Sequence, residues 1–414
     1  MEKRVLSDIA QLRQVIMHRP DAGIEQVSPG NFEQLLYDDV VYLDHMQQEH
    51  DLFTACIRAF IGEEGVLDVQ DLLCDVLQDA GHREELLSIL GQLNGDIARY
   101  QPRLNELPAD LLTQTLITGI DEGKSVFTPV PNLIYTRDTG VMVGDHVLTC
   151  HHRRRPRKRE TVFTWFITHY HPRFRESVKG YIDLSEGTAD LRSFVQQDDY
   201  LSIEGGDIMM LAADHLVLTL SDRSNKQTVK QVIAQLFEKA VVSKCTVIKI
   251  PAEHTYMHLD TVMTQVNHKD FVLLEQVMLN EAQTKVWHYE GTLSNASVYP
   301  TVREFLREHL GDVRLIPCGG GDFVSAQREQ WTAGCNFTAL KPGVIFSYDR
   351  NKRTREALLR HGYTEMTATE AIRQVQAGSL SLDSLENTII SIPSGELARG
   401  GGGPHCLTFP VARG

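Results

Sequence analysis

The sequence predicts an α/β fold of about five pseudo-symmetric modules into which an α-helical bundle is inserted. Three observations carry that expectation. Short strands recur in pairs, each pair opened by an acidic or polar residue and broken by a tight polar turn. Helical segments follow several of the pairs, so the unit itself repeats. Between residues 44 and 123 the paired strands give way to apolar residues recurring at three and four.

In chain order, residues 13–18 read as an opening strand ended by the turn Arg19-Pro20-Asp21. Leu52, Cys56, Ala59 and Phe60 then form one helical face, and Leu72, Leu73, Val76 and Leu77 another. Residues 44–123 are therefore expected as a helical insertion in a body made of residues 1–43 and 124–414. Four strand-turn-strand segments follow, starting at Asp138 (DTGVMVGDHVLT), Asp207 (DIMMLAADHLVLT), Asp260 (DTVMTQVNHKDFVLL) and Asn336 (NFTALKPGVIFSY). Helices are expected at 225–240, 301–310 and 353–361, and the C-terminal CLTFPV completes the fifth copy. A doubly wound sheet competes, but hairpins recur where single parallel strands would be needed, and no glycine-rich strand-to-helix phosphate loop is evident.

With 42% hydrophobic and 23% charged residues the chain has the composition of a globular protein. No stretch of about eighteen apolar residues occurs and the first seventeen residues hold no signal-like apolar core, so neither a membrane partner nor export is expected and the cytoplasm is the expected location. Seven cysteines without a C-x-x-C pair argue against a structural zinc site or a disulfide framework. A net charge of −14 argues against a general nucleic-acid surface. The run HHRRRPRKR at 151–159 is the exception, and such a run reads as a solvated face or a polyanion patch.

Asp138, Asp207 and Asp260 open successive hairpins and are placed to converge. Buried charge is costly, so clustered acids without metal-ligand spacing await a cation, and a planar guanidinium with five N–H donors fits them. Glu204 lies three residues before Asp207 in E-G-G-D, a motif that a tight turn before a strand explains equally well. His258 and Asp260, two apart, are expected on one face of a strand, with histidine able to take and return a proton. Cys406 follows four glycines and a proline in RGGGGPHC, unlike Cys245 inside an apolar strand, and is the nucleophile candidate. Cys318 in PCGGGD is its rival on the same glycine argument.

Taken together, these motifs resemble the arginine deiminase family of guanidino-modifying enzymes from the opening strand to the last ten residues. The resemblance is carried by Pro131-Asn132, Tyr135-Thr136-Arg137-Asp138, the E-G-G-D at 204–207, MHLDTV from Met257, REQW from Arg328, GVIFSYDRN from Gly343, and PHC. It implies a five-module α/β-propeller with a helical-bundle insertion, no metal and no cofactor, and a cysteine that attacks the guanidinium carbon of L-arginine. By position, Asp138 and Asp260 would hold the guanidinium, Glu204 would bridge substrate and His258, and Asp207 would support the network. Asn132, Arg157 and Arg223 would bind the substrate's carboxylate and α-amino end, with Tyr135 beside them; Arg157 would point inward while its neighbours in the basic run stay solvated. Tyr135 stands where the family usually has phenylalanine, and Gly401 where some members have arginine. An amidinotransferase and a hydrolase of methylarginine or agmatine are the alternatives within the superfamily. A silent arginine-binding protein and a nucleic-acid binder are the alternatives outside it. Room is left for a homo-oligomer.

Overall fold

The computed structural model describes residues 3–185, 187–196 and 201–414. All four strand pairs expected from the sequence form antiparallel hairpins: Gly140–Val143 with His146–Thr149, Ile208–Ala212 with His215–Leu220, Met263–Asn267 with Asp270–Leu273, and Thr338–Lys341 with Val344–Tyr348. In each, the second strand takes a parallel partner later in the chain, namely Gly180–Ile182, Lys244–Lys249, Arg314–Pro317 and Thr388–Ile392. Parallel neighbours cannot be joined by a tight turn, which is why helices recur between them. The chain ends build a fifth unit of the same order, in which Phe409–Arg413 runs antiparallel to Leu12–Met17 and Leu12–Met17 parallel to Val66–Asp68. The result is a mixed α/β fold of small separate sheets, none of which closes on itself.

The strands read as apolar runs rather than alternating ones because both faces are covered; every residue of Val344–Tyr348 and Thr388–Ile392 is buried. Three of the hairpins slip register just before the turn, at Met210/Ala212, Gln265/Asn267 and Ala339/Lys341. Such irregularities add twist to a short pair and mark the three as copies of one design.

Helix α1 (Leu43–Ile61) carries the chain from Leu12–Met17 to Val66–Asp68 and packs on the helix Ala368–Gln376. Its core stripe is Met46, Phe53, Cys56 and Ile57, part of a turn away from the expected face, with Leu52, Ala59 and Phe60 only half-buried. Helices α2 (Val69–Val76), α3 (Ala80–Leu93), α4 (Gly95–Glu106) and α5 (Ala109–Thr118) follow. Asp68, Asp79 and Asn94 cap the first three of these through side-chain oxygens that accept backbone N–H groups. Leu72, Leu73, Val76 and Leu77 are buried as expected, and α2 and α3 pack on α6 (Lys158–Tyr170). Among the described residues no helix is long and apolar enough to cross a membrane.

Candidate active site

Asp138, Asp207 and Asp260 each sit in a single 3-10 turn directly ahead of a hairpin, at Thr136–Thr139, Gly205–Asp207 and Leu259–Thr261. Asn336 and Cys406 hold comparable positions before Thr338–Lys341 and Phe409–Arg413. Hydrogen bonds tie these turns together across the chain. The Arg137 amide donates to the Cys406 carbonyl at 3.1 Å, the Leu259 amide to Asp207 Oδ1 at 3.1 Å, and Asn336 Nδ2 to the Asp260 carbonyl at 3.1 Å. The buried Arg137 guanidinium donates to the carbonyls of Gly205 and Ile208 and pairs with Asp8 at 3.0 Å. Sequence reasoning assigned Arg137 nothing, although it belongs to the Tyr135-Thr136-Arg137-Asp138 motif.

His258 and Asp260 do not share a strand face, contrary to expectation. The chain turns at them, with Thr261 N–H bonded to the His258 carbonyl at 3.2 Å, and the strand begins only at Met263. Their side chains therefore take different partners. His258 Nε2 lies 2.9 Å from Glu204 Oε2 and its Nδ1 3.7 Å from Asp138 Oδ1, whereas Asp260 Oδ2 lies 2.9 Å from His405 Nδ1 and 3.5 Å from Cys406 Sγ.

Cys406 is buried against this acidic wall. Burial, then the carboxylates of Asp260 and Asp138, push its thiol well above the ordinary range, so the free site holds a neutral thiol. Asn336 clamps the same segment: its Nδ2 donates to Cys406 Sγ at 3.2 Å, while its Oδ1 accepts the amides of His405 and Cys406 at 2.9 and 3.2 Å. The sequence did mark Asn336 as the opening residue of the fourth hairpin, and its place in that series was the signal for its role. Cys318 lies elsewhere, buried beside Ala326 and Cys335 in a separate apolar cluster, with Thr354 donating to its sulfur at 3.6 Å.

Seven of the ten expected residues line one pocket: Asn132, Tyr135, Asp138, Arg157, Arg223, His258 and Cys406. Glu204, Asp207 and Asp260 stand behind it, all buried. His258 is raised to about 9: burial opposes the charged ring, but Asp138, Glu204 and Asp207 outweigh it. Glu204 is held well below the carboxylate range although burial raises it, because Arg223 and His258 face it. Burial lifts Asp207 to about 7 against donors from Ser221, Ser224 and Leu259. Arg157 donates to Asp138 Oδ2 at 2.7 Å and grips Glu160, and Arg223 approaches Glu204 at 3.9 Å. Asn132 Nδ2 donates to the Leu35 carbonyl, and the Tyr135 hydroxyl to that of Gly400. Asp138 Oδ1 and Asp260 Oδ1 are buried and accept no hydrogen bond.

Ligand atoms of Asp138, Glu204 and His258 lie within 4.8 Å of one another, close enough to hold a cation. The Arg157 and Arg223 guanidiniums face the same carboxylates at 2.7–3.9 Å and oppose a second positive ion there.

The basic run departs from expectation. Arg157 is buried as anticipated, but His151, His152, Lys158 and Arg159 are buried too, Arg153 and Arg154 are half-buried, and only Arg155 is exposed. The cause is that the run leads into α6, which packs inside the molecule, and backbone carbonyls take up the cations: Phe194 accepts from Lys158, and Leu116 and Thr128 from Arg159.

Residues 101–413 match the family model described as Arginine deiminase. The arginine deiminase of Bacillus cytotoxicus is 30% identical over 439 aligned residues, covering 99% of this chain and 98% of that one. Among solved structures, an amidinotransferase of saxitoxin biosynthesis from Microseira wollei aligns with a TM-score of 0.52 at 11% identity, over 99% of this chain and 97% of its own. A dimethylarginine dimethylaminohydrolase captured as an adduct with S-methyl-L-thiocitrulline also aligns at 0.52, with 13% identity, over 96% and 99%. The two structures share this fold, and the match over most of the chain settles the family: this chain belongs to the arginine deiminase family.

Proposed function

We propose that this chain hydrolyses L-arginine to L-citrulline and ammonia, with Cys406 as the nucleophile. The observation that carries the reading is the pair of buried carboxylate oxygens without a hydrogen bond, Asp138 Oδ1 and Asp260 Oδ1, on the two acids whose charge acts on the buried thiol. An unmet buried acceptor is expensive, and a substrate guanidinium supplies both donors and charge. The curated relatives named arginine deiminase support the same substrate.

In this scheme the guanidinium enters between Asp138 and Asp260 and offsets the negative field that keeps Cys406 protonated. The thiol then loses its proton to solvent. Its sulfur adds to the guanidinium carbon, and protonated His258 gives its proton to the departing nitrogen, which leaves as ammonia when the C–N bond breaks. A thiouronium cation remains on Cys406. Neutral His258 takes a proton from water as its oxygen adds to the same carbon; the C–S bond breaks, citrulline departs and the thiolate regains a proton. Glu204 holds the His258 ring through both transfers, and Asp207 steadies the turn behind it. Asn132, Arg157 and Arg223 receive the α-carboxylate and α-amino group, for which Arg157 must release Asp138. Agmatine lacks that carboxylate and offers nothing to draw Arg157 away from Asp138.

Body residues 1–43 and 124–414 are read here as five modules around one axis, an α/β-propeller, with 44–123 as the helical unit; α1 also serves as the crossover of the first module. The catalytic chemistry is assigned to side chains alone, without metal or cofactor, in a cytoplasmic enzyme. Acid-quenching during turnover of L-arginine and mapping the peptides by mass spectrometry should find a covalent adduct on Cys406. Steady turnover with no adduct on that peptide under any quench time would overturn the covalent scheme.

A further inference from the structure

A cavity of about 750 Å³ lies apart from the one in front of Cys406. It is lined by the end of α3, the segment 125–129, the start of α6 and residues between 26 and 35. Arg155 and Arg159 line it together with the amide side chains of Gln34 and Asn94, and no carboxylate does, in a chain with 55 acidic residues. Arg159 is 3% exposed. Its guanidinium donates to the carbonyls of Leu116 and Thr128 and lies over the Phe127 ring at 5.5 Å, yet makes no ion pair among the described residues. Glu160, the acid next in sequence, is already gripped by Arg157 through 2.8 and 3.1 Å contacts. Burial accordingly pulls Arg159 down to about 10, with Glu160 offsetting only part of the cost.

A buried guanidinium without a counter-charge is paid for only if something brings one. Arg155 donates to the Leu93 carbonyl at 3.2 Å and keeps its charge at the cavity rim. The thirteen-residue α6 begins at Lys158, between these two arginines in the chain. A guanidinium fork matches the oxygens of a phosphate group, and the volume is that of a small-molecule site.

We propose that this cavity binds a small phosphate-bearing anion, held by Arg159 in its wall and Arg155 at its rim. The basic run would then serve two pockets, with Arg157 turned to one and Arg155 and Arg159 to the other.

The test is calorimetric titration of the whole protein with inorganic phosphate and with glycerol 3-phosphate, each against chloride at equal ionic strength. Saturable binding of one equivalent is expected, weakened at least tenfold in Arg155→Glu, while citrulline formation by that variant without phosphate stays unchanged. Arg159→Lys, which keeps the charge but not the planar fork, should weaken binding as well. Tighter binding of the monoester would mark an organic phosphate as the ligand, and tighter binding of the free ion would mark inorganic phosphate. The proposal falls if neither anion binds beyond chloride, or if Arg155→Glu binds phosphate as the parent does, which would place the anion at Arg157 and Arg223 instead.

Discussion

At the scale of single residues, the proposed chemistry rests on the thiol and the amide beside it. Because burial and two carboxylates hold Cys406 neutral, its thiolate fraction is small at pH 7 and grows through and beyond pH 9. Iodoacetamide labelling of the Cys406 peptide in the free enzyme should therefore be slow at neutral pH and still be rising, without a plateau, at pH 9; a plateau below pH 8 would contradict the electrostatic reading. Asn336 donates to the sulfur and accepts two backbone amides, so Asn336→Ala leaves two buried N–H groups unmet, at a cost of about 1–3 kcal/mol each. The expected consequence is a kcat lower by about 10–100-fold with KM little changed. Asn336→Asp keeps the acceptor but sets a third negative charge beside the sulfur, and should lose more activity than Asn336→Ala while folding better. A structural role alone would order the two variants the other way.

At the scale of elements, the site is a set of pre-strand turns, and the glycine segment closes it. Gly402 packs so tightly on the Tyr135 ring that a side chain there would overlap Cε1, and the Tyr135 hydroxyl donates to the Gly400 carbonyl. Tyr135 thus packs on the segment that holds Gly401, which adopts φ +94°, a conformation that favours glycine. Tyr135→Phe removes one buried hydrogen bond; stability should fall by about 1 kcal/mol in urea titrations, with kcat within a few-fold of the parent. The hairpins were legible because strand, turn and strand are local, and the acid ahead of each could be read directly. What the sequence could not reveal is which partners those acids meet. Asp260 and Cys406 are separated by 146 residues and Asn336 and Cys406 by 70, and no periodicity encodes such contacts. The H-x-D was misplaced on a strand because residues two apart look alike in a strand and in a 3-10 turn. The basic run was misjudged because charge runs are usually solvated, and nothing local announces the carbonyls of Leu116 and Thr128 that receive Arg159.

At the scale of the molecule, five sheets share a three-strand core, a middle strand with one antiparallel and one parallel neighbour, and two of them are widened by further strands; each core delivers one turn, so the proposed chemistry depends on the last strand pairing with the first. The three-strand core repeats along the chain, whereas the helices from Leu43–Ile61 to Ala109–Thr118 interrupt the repeat, and Leu43–Ile61 packs on Ala368–Gln376. The central claim is that this assembly turns Cys406 on a guanidinium that carries an α-carboxylate. The most direct measurement is release of citrulline and ammonia from L-arginine, and of the corresponding products from agmatine, by the parent protein and Cys406→Ser with EDTA present. The account predicts turnover of L-arginine, none or nearly none of agmatine, no effect of the chelator, and loss of at least about a thousandfold on the substitution. Equal turnover of agmatine, or near-normal turnover by Cys406→Ser, would contradict it.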